Sequence, residues 1–586
     1  STPLYSSAAS DVYKRQVSKT GPGVFTLANA LNNQGAVNVN AGSLILTAGG
    51  VHDGSFTTAA TATLDFQGGT HNFGDGAVFA GPGAFDGGGT LNVTGTNSGL
   101  QFAAGTTINL NALAFGGSGK ISNLGTVNRT STGNTLLFAG DFVNGVGGTA
   151  NLTDMTIGGS LFNYGTFNVG GTVTVAGVQA QQLGGVMNIP ALATLDMSNS
   201  AGQFSWQDGT IGGLGTLGFS QGGTFLFAGT GDRVIDGLNF AFNNLVLPDG
   251  SLTLQSGSLT LTGNTVLPAG VALNLYGGTL TNNGSLDVAG AFSLTGGAFA
   301  GSGSLSMSGG SLSLPAGNAV AWSNSGVLTN TGTLNLADST ITNAIDNQGT
   351  INLGSGLTFT QMLTSTGTIV AQAGNSVFGA GLLQNAGGSI VLAGGNLQGD
   401  VNIQAGTIMG SGMIDGNMIV GAANFAPGAS PGAITITGNL SLDPASVLNF
   451  EIAGLVPGAD YDFVHVLGNA SLAGTLNITT PGGFVPPPGA NFAVMQFASS
   501  TGAFSQVNLP SGVRSFTFSS GPTALTVSAA ADVMTAFANF MSDFSSNPIS
   551  IALERVIAPD DAVVLIHGVD PIEPDDAREI EMEGCR

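Results

Sequence analysis

The chain is 586 residues long and acidic, with 10 basic and 33 acidic residues and a net charge of -23. Its 96 glycines are more than twice the ordinary share of about 7%, and only 7% of residues are charged where about 25% is usual, too few to cover helix surfaces. A helical protein is excluded, as are collagen, for want of a Gly-X-Y period, and disorder, since 42% of the residues are hydrophobic and 34 are Phe. What remains is an all-β protein of short strands and glycine turns.

Residues 1–16, with their LYSSAASDVYKRQ, resemble a translated sequencing adapter, so Val17 is expected to be the first native position and the true start to lie upstream. From 21 to 530 the only cations are Lys120, Arg129, Arg233 and Arg514. No basic stripe exists to neutralise phosphates, which makes nucleic acid and anionic bilayers poor partners. Gly, Asn, Ser or Thr interrupts every apolar stretch, so no integral membrane helix is expected. Cys585 stands alone, which excludes an internal disulfide and a Cys-based zinc site.

A motif of the form N-x-G-small-apolar-[N/D]-apolar recurs at 33–39 (NQGAVNV), 282–288 (NNGSLDV), 330–336 (NTGTLNL) and 347–353 (NQGTINL), with partial copies at 123–128 and 163–169. Each copy begins as a turn, where Gly is expected to supply a positive φ, and continues as a strand with Leu334 and Leu336 on one face and Thr333 and Asn335 on the other. Leu334, Ile351, Ile369 and Ile390 return at steps of 17, 18 and 21 residues. Meander strands would follow one another at about 8 to 12 residues. The longer step predicts a right-handed parallel β-helix solenoid over 17–430, with these four residues as one buried aliphatic column and Thr, Asn and Ser facing outward. At about 4.8 Å per rung, about twenty rungs would span on the order of 100 Å. The stretch 231–237 (GDRVIDG) is expected to project as a loop.

Candidate chemistry is sparse. His52, His71, His465 and His567 are read as isolated, and no H-E-x-x-H or calcium-binding repeat occurs. Asp232, Arg233 and Asp236 form the tightest charged cluster before the tail, and are read as a solvated loop. They are the first place to look for the rival function, a β-helical polysaccharide lyase or glycosidase, because those reactions need a cation or paired carboxylates. The G-x-S-x-G match at 428–432 fails as a nucleophile elbow, since Pro431 has no N-H to offer an oxyanion. Asp460 and Asp462 are read as turn or strand residues. No catalytic residue, metal ligand or cofactor is assigned.

Near 425 the character changes: PGASPG at 427–432 leads to AITITGNLSL, then to VLNFEIAG with Glu451, ADYDFVHVLGNASLAGTLNI at 459–478 and FVPPPGANFAVMQF at 484–497. This order resembles the C-terminal end of autotransporter passenger domains and filamentous haemagglutinin-like surface proteins. The resemblance implies a secreted or surface-displayed, outer-membrane-associated bacterial protein of adhesin type, with an unknown host, cell-surface or matrix ligand (protein or glycan) and an outer-membrane translocator as partners, and no enzymatic activity. An inert stalk is the third possibility. It also implies that 431–530 is a β-helix cap; because a solenoid rung cannot bury its core alone, this least repetitive segment is expected to template folding, with Phe450, Phe463, Phe484, Phe492 and Phe497 as anchors. The remainder, 531–586, is expected to be an acidic tail with a short helix carrying Val533, Phe537, Phe540 and Phe544 on one face.

Overall fold

The structure, a computed structural model, describes residues 16–110, 114–132, 135–317, 320–385, 387–428, 431–511, 514–531, 551–557 and 562–568. Among these residues there is no α-helix, and a single 3-10 turn lies at Pro481–Gly483. The strands form a parallel β-solenoid of about 20 turns. The expected column is present: Leu334 registers with Ile351, Ile351 with Ile369 and Ile369 with Ile390, all in parallel and all four fully buried. Strand alternation accounts for the sidedness, since Thr333–Leu336 and Thr350–Leu353 each bury their second and fourth residues.

Two details of the repeat differ from expectation. The glycine of Asn-x-Gly is not in a left-handed conformation; its role is space. A Cβ on Gly349 would lie 2.2 Å from the carbonyl oxygen of Gly332, and one on Gly367 would lie 2.1 Å from that of Gly349. Successive corners therefore stack backbone on backbone, closer than any side chain allows.

The first asparagine of the motif, moreover, points inward. Asn123, Asn144 and Asn163 are fully buried, as is Gln182, and they form a chain of amides: Nδ2 of Asn123 donates to Oδ1 of Asn144 (2.8 Å), Asn144 to Asn163 (2.8 Å) and Asn163 to Oε1 of Gln182 (2.8 Å). Each Oδ1 of Asn123 and Asn163 also accepts the N-H of the motif glycine two residues on. The same arrangement links Asn330 to Asn347 and Asn347 to the Ser365 hydroxyl. The second asparagine of the motif does face outward, as expected, and also stacks, with Asn352 donating to Asn335 at 2.7 Å. These copies thus carry one polar ladder inside and one outside, whereas Asn33 and Asn282 of the other two donate to the main-chain carbonyls of Ser55 and Ser304.

The stretch at 231–237 is not a projecting loop. It opens the long strand Asp232–Phe242, whose first half registers with 209–212 on one side and 251–254 on the other.

The chain divides into two compact units, one of residues 1–408 and 412–418 and one of residues 409–411 and 419–586. The second contains parallel rungs, with Val447–Glu451 registering on Thr475–Thr479, and then an antiparallel set in which Ala524–Ala529 pairs with both Asn491–Gly502 and Phe516–Ser520. Phe450, Phe492 and Phe497 are buried there, and Tyr461 meets the Phe492 ring edge-on at 5.4 Å. Phe463 and Phe484 are only half-buried. For Phe463 the reason is alternation, because Val464 and Val466 take the inward positions of its strand. The strands Ile551–Ile557 and Ala562–Gly568 form an antiparallel hairpin. The helix expected at 532–544 and Cys585 lie outside the described residues.

The two ladders differ in what they cost to break. Asn144→Ala removes a buried amide that bonds to Asn123, Asn163, Gly148 and Thr166, and should lower the local opening free energy around 123–166 by about 1 to 3 kcal/mol in amide hydrogen exchange. Asn352→Ala, on the outer face, should change it by less than about 0.5 kcal/mol.

Candidate binding surface

The Asp232, Arg233 and Asp236 cluster is divided by the strand that carries it. Arg233 is fully buried, and its guanidinium is spent on main-chain carbonyls: Nε donates to Trp206 (3.0 Å), Nη1 to Asp249 (2.9 Å) and Ser251 (3.4 Å), and Nη2 to Gly229 (2.7 Å) and Ala228. It lies 6.0 Å over the Phe227 ring, and burial holds its pKa below the usual arginine range. Asp232 and Asp236 stay exposed and accept the hydroxyls of Ser251 (2.6 Å) and Ser256 (2.7 Å). Each carboxylate is thus held separately by a hydroxyl of the next rung, Asp232 by Ser251 and Asp236 by Ser256, with a register shift between them, so the two are not set up as the paired carboxyls a glycosidase uses. The cluster anchors a rung, with no cation facing a substrate.

The histidines are not all isolated. His52 and His71 are both fully buried, and Nε2 of His52 lies 3.0 Å from Nδ1 of His71, whose own Nε2 meets the Gly68 carbonyl at 3.1 Å. Phe56, Phe66 and Phe73 pack around the pair. His52 registers on Phe73, 21 residues on, and His71 lies two positions before that partner on the same inward face, so the two rings meet diagonally between adjacent rungs. Burial, then the neighbouring His71, pushes His52 down to about 3; burial also lowers His71. His465 faces outward and half-buried, and His567 lies on Ala562–Gly568. Among the described residues no group of three potential metal ligands converges.

The remaining candidates are structural. The Asp460 carboxylate accepts the N-H groups of Leu455 and Val456, closing a turn. Asp462 is buried and accepts those of Gly432 and Glu451 at 2.8 Å each; burial pushes its pKa up to about 7 against these two bonds. Ser430 of the G-x-S-x-G match lies outside the described residues. Lys120 is half-buried on its strand, Arg129 is buried, and Arg514 donates to the Ala530 carbonyl, so these cations form no stripe.

A candidate surface lies instead where the ladder is interrupted. Thr216–Gly218 registers with 194–196 and Thr224–Phe227 with 203–206, but among the described residues no register carries either strand to the following rung. The second half of the next long strand, 239–242, pairs only onward, with 258–261. Phe225, Phe240 and Phe242, in positions that are core elsewhere, are half-buried here, with centroids 5.8 Å apart for Phe225 and Phe240 and 5.6 Å for Phe225 and Phe242. A second interruption, between Ala321–Asn324 and Thr340–Ile341, opens a groove of about 510 Å³ lined in part by Trp322 and Asp338. Its Trp322 is only 6% exposed and its indole N-H is taken by Asn343, so it presents no open aromatic face.

No family model matches the chain. Over 75 residues, 12% of this chain and 2% of the other, it is 39% identical to the adhesin BmaC autotransporter of Brucella suis biovar 1 (strain 1330). The chain thus spans about 2% of the length of the curated relative it matches. The crystal structure of the Haemophilus influenzae Hap adhesin covers 85% of this chain and 64% of its own, at 13% identity and a TM-score of 0.28. The β-solenoid and the local match fit an autotransporter passenger.

The histidine pair predicts a pH dependence. Unfolded, each histidine titrates near about 6.5; folded, His52 stays neutral down to about 3. Between these values the unfolded state binds more protons, so the stability present above about pH 6.5 falls as pH is lowered through that window. The slope around residues 50–75 should approach about 1.4 kcal/mol per pH unit for His52 in hydrogen exchange, with His71 adding in the same direction, and His52→Phe should flatten it.

Proposed function

We propose that the chain is a secreted or surface-displayed adhesin-like passenger that mediates attachment without catalysis. The observation that carries the reading is the β-solenoid joined to a local match with an autotransporter adhesin. Its physical support is the outer face, where uncharged Asn, Ser and Thr ladders run along the rungs, as from Asn109 through Asn128 and Asn151 to Asn168. Such a face is stable without a partner and presents hydrogen-bonding groups at a regular repeat. Delivery requires an outer-membrane translocator, and the ligand is a protein or glycan of a host, cell surface or matrix. The inert-stalk reading is separated from this one by attachment itself.

The non-enzymatic reading is supported by Arg233, which has no free N-H to aim at a substrate, and by the separate hydroxyl partners that hold Asp232 and Asp236. Purified protein should release no reducing sugar and no unsaturated product from a polysaccharide panel; activity abolished by Asp232→Ala would reverse this. Beads coated with the protein should bind cells or matrix above beads coated with albumin, and equal retention would reduce the chain to a stalk. Residues 431–530 are proposed to act as the folding template. A variant ending at 430 should regain its β circular dichroism at least about tenfold more slowly than one ending at 530, as expected where one preformed rung is needed for propagation.

A further inference from the structure

The interruption near 216–247 leaves three kinds of unsatisfied surface in one place. The outgoing edges of Thr216–Gly218 and Thr224–Phe227, and the incoming edge of 239–242, lack the ladder that occupies such edges at other rungs. Strand edges of this kind are templates for another chain. Beneath them Phe225, Phe240 and Phe242 open toward solvent, whereas Phe204, one rung earlier and in register with Phe225, is fully buried. On the outer face the usual Thr and Asn give way to Leu226, Val246 and Val266, which are 43%, 67% and 49% exposed.

The charges around this surface have one sign. Asp196 binds the N-H and hydroxyl of Ser220, next to Phe219 on one flank. Asp208, Asp232 and Asp249 surround Arg233 on the other, where that side chain covers Phe227. Arg233 points inward onto carbonyls with every N-H spent there, so it offsets part of the charge of these three aspartates and leaves the flank net acidic. A complementary ligand must therefore supply backbone N-H and C=O groups in extended form, apolar side chains and positive charge. A neutral glycan lacks the charge, and a second copy of this chain, at -23, brings the wrong one.

We propose that this interruption binds an extended, lysine- or arginine-bearing peptide segment of a partner protein. The segment adds a strand along the edge of Thr224–Phe227, seats alternate apolar side chains against Phe225, Phe240 and Phe242, and places its cations on Asp196, Asp232 and Asp249. This names a partner class for the attachment function and rests on that reading.

The test uses the full chain and an acetylated alternating lysine-valine peptide about seven residues long, a common strand length, followed by fluorescence anisotropy. The peptide should bind, more weakly as salt rises. Replacing its central valine by proline, which removes a ladder N-H, should weaken binding about tenfold, and a glutamate-valine peptide should not bind. Leu226→Lys, at an outward position, should abolish binding with thermal unfolding unchanged, and the Asp232→Asn, Asp249→Asn pair should weaken it about threefold to tenfold. Equal binding of the proline peptide would overturn strand addition. Binding of a neutral oligosaccharide in place of the peptide, or self-association lost in Leu226→Lys, would hand the surface to a glycan or a second copy. If Leu226→Lys loses the peptide but still attaches to cells, the partner class is wrong and the attachment reading stands; if the native chain attaches to nothing, that reading falls whatever the peptide does.

Discussion

In a parallel solenoid each turn must lay its backbone about 4.8 Å from the last, in register, over and over. Most of the unusual composition follows from this spacing. At the corners it leaves no room for a Cβ, so glycine recurs where carbonyl stacks on carbonyl, as at Gly332, Gly349 and Gly367. On the strands it places residues of one turn directly over those of the next. Every side chain must tolerate a near copy of itself as neighbour.

That tolerance explains why charge is scarce. Like charges directly opposite each other on adjacent strands destabilise a sheet, whereas a carboxamide both donates and accepts and can bond to its own kind indefinitely. The exception illustrates the cost: Asp65 registers on Asp86, and its carboxyl is pushed up chiefly by burial, with the Asp86 charge adding to it and a bond from Gln67 opposing. Asparagine meets the same demand without an electrostatic penalty. Inside the corner it does more, since Oδ1 also accepts the N-H of the following glycine while Nδ2 reaches the next turn.

The periodicity of Leu334, Ile351, Ile369 and Ile390 was enough to place the column, because a repeat that returns aliphatic residues to the same site is a one-dimensional signal. Which asparagine faces inward was not legible, since both positions of the motif are polar and only the corner geometry separates them. The motif glycine reads as a positive-φ turn residue, and its true role was not legible, because a close approach between turns is not a local property, while a positive φ is. His52 and His71 do not register on each other, since His52 registers on Phe73 and His71 on Gly50, so their contact is a diagonal one that no repeat period in the sequence encodes. Arg233 shows the opposite failure. Surrounded in sequence by Asp232 and Asp236, it reads as a surface ion, but strand alternation turns it inward, where five carbonyls take the place of carboxylates.

Rung length itself varies. Leu328 finds its partner 17 residues on, at Ile345, while Thr126 finds its own 23 residues on, at Thr149. The strands hold their register through these changes and the corners absorb them. A one-residue deletion within a strand would exchange its two faces, whereas a whole turn can be lost, doubled or lengthened at a corner while both neighbouring turns keep a compatible surface to stack upon. The heritable unit of change in such a protein is therefore the coil, and its length can drift between lineages by duplication and loss of short in-frame segments of DNA without a new core having to be invented.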